Sequence, residues 1–220
     1  MSQEKIKIDF EENSLYINYS NSSYIDFDSE MDIVKSIFFD IELVNDFTQE
    51  RKTIGKGELS YIDLAMQMNH NLLLSEQLEN HSSELLNLGE AIFKEDGEIL
   101  DSDYWNSFNF SKDLDLINED NINSNILHIE RIEIDEKYQN NNVGSLFIKH
   151  LHYNFYDQFL FITTKPYPLE FEDKMNIDKE EDSEMYEYKK GKVISFYVKN
   201  GFSKISNSEF YYAPCNWKLN

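Results

Sequence analysis

Apolar residues recur at every second position in Ile6-Lys7-Ile8-Asp9-Phe10 and in Leu15-Tyr16-Ile17-Asn18-Tyr19, with Glu12-Asn13-Ser14 between them as a turn. Ile33 to Val44 is apolar on both faces and reads as a strand; Leu59 to Ala65, after Lys56-Gly57, reads as another. These segments predict an antiparallel meander before residue 68. The period then lengthens. Asn71 to Phe93 carries Leu72, Leu73, Leu78, Leu85, Leu86, Leu88, Ala91 and Ile92 at helical spacing. His81-Ser82-Ser83-Glu84 interrupts that pattern, so Ser82 or Ser83 caps a second helix, and Glu95-Asp96-Gly97 stops it. Asp101 to Asn125 is polar with aromatic interruptions and reads as an irregular connection.

Alternation returns in the second half as strand (Asn125 to Ile134), helix (Val143 to Tyr156) and strand (Phe159 to Thr163). Lys165-Pro166-Tyr167-Pro168 cannot continue a ladder, because proline lacks the N–H. Residues 170 to 187 are dense in carboxylates and read as an acidic loop leaving the sheet. A helix restarts near Tyr188 and stops at Asn200-Gly201, and Phe202 to Ile205 and Glu209 to Tyr212 read as two closing strands. The expected fold class is α/β, of the α+β kind: a mixed, mostly antiparallel central sheet flanked by helices. One domain over 1–220 is expected, with a strand-rich half and helical insert over about 1–124 and a core over 125–212.

Composition narrows the function. The 220 residues carry a formal charge of −22, which repels phosphate backbones and argues against nucleic-acid binding. That charge suits a cationic substrate such as an amine, and it also serves plain solubility. The run Glu180-Glu181-Asp182 reads as a solvated face, or as a steering patch for a polyamine or a lysine-rich tail. A single cysteine, Cys215, excludes an internal disulfide and a cysteine-rich zinc site. His70, His81, His150 and His152 lack ligand spacing with one another or with Cys215, so no metal is expected. No apolar run has membrane-spanning length and Met1-Ser2-Gln3-Glu4-Lys5 is no signal sequence, so a cytoplasmic location without membrane contact is expected. The oligomeric state is open, a homodimer included.

Candidate chemistry gathers at Tyr138-Gln139-Asn140-Asn141-Asn142-Val143-Gly144-Ser145, a polar turn between a strand and a helix. Backbone N–H groups there have no intrahelical acceptor and carry the positive end of the helix dipole, which makes an anion site from Asn140 to Ser145. Gly144 lets an anion approach the backbone, and Asn142 tolerates positive φ. On the preceding strand, simple alternation puts His128, Glu130, Ile132 and Ile134 on one face and Ile129, Arg131 and Glu133 on the other. His128, Glu130 and Glu133 are candidate bases; a paired surface carboxylate is the alternative for Glu130, and a bulge would change the faces.

Gln139-x-x-Asn142-x-Gly144 resembles the Q/R-x-x-G-x-G/A pyrophosphate loop of the GCN5-related N-acetyltransferases, and Phe196-Tyr197-Val198-Lys199-Asn200-Gly201-Phe202 is similar to that family's F-Y-x-K-x-G-F helix end. The resemblance covers Leu127 to Tyr212 and the first half only in outline. It implies the family's fold and acetyl-CoA-dependent transfer of an acyl group to a primary amine, on a small molecule or a protein, in a ternary complex. The implied cofactor-binding set is Ile132, Ile134, Gln139, Asn140, Asn141, Asn142, Val143, Gly144 and Ser145, with Ile132 and Ile134 beside the pantetheine arm. The implied catalytic residues are Tyr197, as acid toward the leaving thiolate, and Glu130, as base. Phe196 reads as the core aromatic of that helix. The chain departs from the family at Asn142, where glycine is usual, and at Lys190, where asparagine is frequent. These departures favour the alternative, a non-catalytic coenzyme A-binding or regulatory module.

Overall fold

A computed structural model describes residues 5–21, 32–64, 73–93, 125–155, 158–171, 180–205 and 207–214. Its centre is a seven-stranded mixed sheet in the order β1-β2-β3-β4-β5-β7-β6. The strands are β1 (Asn13–Asn21), β2 (Val34–Asn45), β3 (Arg51–Ile62), β4 (Ile126–Ile134), β5 (Phe161–Thr164), β6 (Ser203–Lys204) and β7 (Tyr211–Pro214). Only β4 and β5 run parallel; every other neighbouring pair is antiparallel. Among the described residues four helices accompany them: α1 (Leu74–His81), α2 (Ser83–Ile92), α3 (Val143–Asn154) and α4 (Glu180–Lys199). The α/β class with a mostly antiparallel sheet is therefore observed, and β1 to β3 form the expected meander.

Alternation along the strands sends side chains to two separate cores. Leu127, Ile129, Leu59 and Ile162 pack with Val143, Phe147, Ile148 and Leu151 of α3 and with Tyr197 of α4. Phe39 of β2 stacks on Phe147 with ring centroids 4.3 Å apart. On the opposite face, Ile126, Ile62, Val34 and Phe161 pack with Leu78 of α1 and with Leu85, Leu88 and Ile92 of α2. Each of these large side chains contributes roughly 1.5–3 kcal/mol on burial.

Ser82 caps α2 as expected: its side chain accepts from the Leu85 amide at 3.1 Å. Gly201, at φ 90°, ends α4, with the Phe202 amide bonded to the Tyr197 carbonyl and the Gly201 amide to that of Val198. That pair of bonds is a Schellman stop, and it fixes Tyr197 in the last turn.

Two expectations are corrected. The segment Ile6 to Phe10 joins no ladder, and Phe10 already lies in a turn. Its polar groups go to the 138–142 turn instead: the Ile6 amide bonds to the Lys137 carbonyl, and the Ile8 amide to Asn141 Oδ1. The acidic loop expected over 170–187 is helical from Glu180, so α4 starts eight residues before Tyr188. The readings for Glu95-Asp96-Gly97, for 101–124, for His70 and for Cys215 lie outside the described residues.

Candidate functional site

The site begins where β4 and β5 part. Their register runs from Ile126↔Phe161 to Ile129↔Thr164 and ends there. Pro166 and Pro168 explain the end, since neither has an N–H to donate. Residues 130 to 134 keep β3 on one edge, and the other edge opens on a cavity of about 1100 Å³. Its wall is built from 130 to 140, the start of α3, Thr164, Lys165, residues 167 to 170, and Lys189, Lys192, Val193, Phe196 and Tyr197 of α4.

A bulge shapes β4. Glu58 of β3 pairs with Arg131 while Leu59 pairs with Ile129, so Glu130 is the extra residue. The bulge overturns the simple alternation. Ile132 and Ile134 move to the face of Leu127 and Ile129, where they pack on the α3 core. His128 and Glu130 share the α2 face: Ser60 donates to Glu130 Oε1 at 2.7 Å, and His128 Nε2 lies 3.8 Å from Glu130 Oε2. Arg131 Nη2 lies 3.5 Å from Glu133 Oε2. Gly55 and Gly57 of β3 make room on the other face. A Cβ on Gly57 would stand 2.1 Å from the Arg131 carbonyl oxygen and 2.3 Å from the Phe39 ring.

The turn itself has a 3-10 step at Glu136–Tyr138, then Asn140 at φ 66° and Asn142 at φ 64°, the latter capping α3 without a side-chain bond. Asparagine serves where glycine would, because its short side chain tolerates the left-handed region. Among the described residues, no acceptor is bonded to the amides of Asn140, Asn141, Asn142, Val143, Gly144 or Ser145. Gln139 bonds the Ile134 carbonyl through Nε2 at 3.1 Å, tying the turn to the end of β4. The Asn141 side chain is structural: it accepts from the Ile8 amide at 2.8 Å and donates to the carbonyls of Ile6 at 2.7 Å and Tyr138 at 3.0 Å.

Gly144 has a second reason beyond access to the backbone. A Cβ there would sit 3.0 Å from the Phe196 ring, so the missing side chain lets α3 and α4 pack closely. Phe196 is not the core aromatic of α4. It is half-buried in the cavity wall, while Tyr197 is 6% exposed and packs against the rings of Phe196 and Phe202. Tyr197 lines the same cavity as the turn. Burial pushes its phenol up to about 12, against a weaker opposite pull from its bond with the Thr164 side chain.

The cavity wall differs in charge from the rest of the chain. Arg131, Lys137, Lys165, Lys189 and Lys192 face Glu130, Glu133, Asp135, Glu136 and Glu170, five against five, where the whole chain has 20 cations against 42 anions. Local balance removes the repulsion that the −22 total would impose on an anionic ligand. Lys190, off the cavity, is held by Glu209 at 3.0 Å, and Lys199 is exposed.

No family model, curated protein or solved structure matches the chain. The chemistry of the site therefore rests on its own geometry. That geometry brings Gln139, Asn140, Asn142 to Ser145, Ile132, Ile134, Glu130 and Tyr197 around one cavity; Asn141 stands behind its wall, bonded to Ile6, Ile8 and Tyr138. Sequence reasoning missed Glu84, which reaches from α2 to 3.3 Å from His128 Nε2. Its one signal was its place two residues after the cap Ser82. Among the described residues, no helix is long and apolar enough to cross a membrane.

Proposed function

We propose that this chain is an acetyl-CoA-dependent N-acyltransferase of the GCN5-related kind, with a primary amine as acceptor. One observation carries the reading: Asn140 and Asn142 to Ser145, whose amides have no acceptor among the described residues, the open edge of β4 and the Tyr197 phenol all border one cavity. A diphosphate is matched by the turn amides and by Lys189 or Lys192 at the cavity wall. An extended pantetheine arm has the length and the amides to pair along the β4 edge from Ile132 to Ile134. Its thioester then reaches Tyr197.

In this mechanism the amine nitrogen attacks the thioester carbonyl, the C–S bond breaks, and its electron pair leaves on sulfur. The phenol near 12 is a weak acid for this step. An ordinary thiol titrates near 8.5, so full transfer to the thiolate is uphill by roughly 5 kcal/mol. Tyr197 therefore stabilises the leaving sulfur as a hydrogen-bond donor, and the thiol proton comes from solvent or from the proton released by the amine. Glu130, held by Ser60 at the cavity wall, receives the amine proton directly or through water. No covalent enzyme intermediate is needed, so both substrates must be bound together.

The test is Tyr197→Phe with a panel of amines, read as free thiol release, beside calorimetric titration of acetyl-CoA. The expected result is a kcat about a hundredfold lower, with the acetyl-CoA Kd within about twofold of wild type. Unchanged turnover removes the role of Tyr197. Acetyl-CoA binding with no thiol release from any amine replaces the enzyme by a coenzyme A-binding module.

A further inference from the structure

The structure assigns a divalent metal site to Glu84, His128 and Glu130. Three elements converge there: α2 supplies Glu84, and β4 supplies His128 and, through its bulge, Glu130. Their ligating atoms all lie within 4.8 Å of one another. His128 is fully buried, while Glu84 and Glu130 have side chains 35% and 21% exposed, so the site is anchored in the core and open on one side.

Distances separate a metal site from a hydrogen-bonded triad. Charge-assisted N–H···O bonds are about 2.7–2.9 Å long. His128 Nε2 stands 3.3 Å from Glu84 and 3.8 Å from Glu130, too far for either bond to be a good one. A tetrahedral ion with bonds of about 2.0–2.2 Å sets neighbouring ligand atoms roughly 3.3–3.6 Å apart. Both contacts fall at or near that edge length. Two carboxylates at most 4.8 Å apart also repel by about 3.5 kcal/mol or more at an effective dielectric of 20, which a cation between them reverses.

Supporting groups orient two of the three ligands. His128 Nδ1 is 2.9 Å from the buried Thr163 hydroxyl, which fixes the imidazole and leaves Nε2 for the ion. Ser60 holds Glu130 Oε1, leaving Oε2 toward His128. Imidazole with two carboxylates suits zinc or a neighbouring first-row ion. Three protein ligands leave a coordination position open, and Glu130 also belongs to the cavity wall, so the ion stands at the edge of the proposed acyl-transfer cavity. With the ion bound, Glu130 is a ligand and not a base, and the amine proton passes to water instead. The assignment does not rest on acyl transfer, because its test uses neither acetyl-CoA nor an amine.

The test takes the untagged full chain, stripped by chelator and dialysed at physiological salt, and titrates it with zinc alone and with cobalt alone. Expected are one zinc per chain by elemental analysis and a visible cobalt spectrum of four-coordinate type. Glu84→Gln and Glu130→Gln should each weaken zinc at least tenfold while keeping the far-ultraviolet spectrum, Ser60→Ala should weaken it about tenfold, and Glu42→Gln should change nothing. Substoichiometric zinc in the wild type overturns the assignment and leaves a hydrogen-bonded triad. Wild-type affinity in both Glu84→Gln and Glu130→Gln overturns it equally.

Discussion

The two sides of the β4 bulge are built in opposite ways. On the α3 side, the proposed anion site is one continuous stretch, Gln139 to Ser145, shaped by backbone conformation and by amides without an acceptor among the described residues. On the α2 side, the Glu84, His128 and Glu130 cluster is made of side chains up to 46 positions apart, brought together by packing. The first depends on local dihedrals and the second on the register of strand and helix. The two sites should therefore fail separately when their own supports are removed, and together only when their common scaffold is damaged.

The common scaffold gives the largest expected effect. Gly57→Ala places a methyl group 2.1 Å from the Arg131 carbonyl oxygen, a backbone atom that cannot move without disturbing the β3–β4 ladder at the bulge. A loss of about 3 kcal/mol or more is expected, since overpacking against backbone lies at the high end of such costs. Chemical denaturation measures it. Acetyl-CoA and zinc binding should both fall, and survival of both at wild-type strength would mean that the bulge is not their shared support.

Asn141→Ala should separate the sites. It removes three hydrogen bonds that tie Ile6, Ile8 and Tyr138 to the turn, at a cost of about 2 kcal/mol. Acetyl-CoA affinity should drop about tenfold as the turn loosens, while zinc affinity stays unchanged. Ser82→Ala should do the converse at smaller cost. Loss of the α2 cap costs about 1 kcal/mol and frees the first turn that carries Glu84, so zinc should weaken severalfold and acetyl-CoA not at all. Calorimetric titration of both ligands on both variants checks the crossing pattern.

This contrast also explains what the sequence could reveal. The turn was legible because every residue that forms it is adjacent, and asparagine at positive φ follows from local sterics alone. The meander, the Ser82 cap and the Gly201 stop were legible for the same reason. The bulge was not. Nothing in Ile129-Glu130-Arg131-Ile132 marks an extra residue, and its cause lies across the ladder at Glu58-Leu59. Missing it put Ile132 and Ile134 on the wrong face, and no local pattern could join Glu84 to His128. The stretch of α4 before Tyr188 was hidden because a carboxylate-rich run without an apolar period resembles a solvated loop. Gly144 revealed its glycine requirement but not its neighbour Phe196, which comes from 52 positions later.

The smallest expected effect lies in the packing of α3, the helix that follows the 138–142 turn. His152 is 3% exposed, has Phe202 as a ring neighbour, and among the described residues neither ring nitrogen has a hydrogen-bond partner. Burial holds its pKa below the ordinary 6.5, so the folded chain keeps the ring neutral. Above 6.5 neither folded nor unfolded chain binds the proton, and the group costs no pH-dependent stability. As pH falls below 6.5 the unfolded chain is protonated first, and stability is lost until the folded pKa is passed. His152→Leu abolishes this contribution, while His150, whose pKa burial also lowers, stays in both proteins. The variant should gain under about 1 kcal/mol at neutral pH, because two unpartnered nitrogens leave the core. Its Tm should fall less than that of the wild type between pH 7.5 and pH 5. Parallel Tm curves over that range would show that the buried ring finds a proton acceptor and is not held neutral.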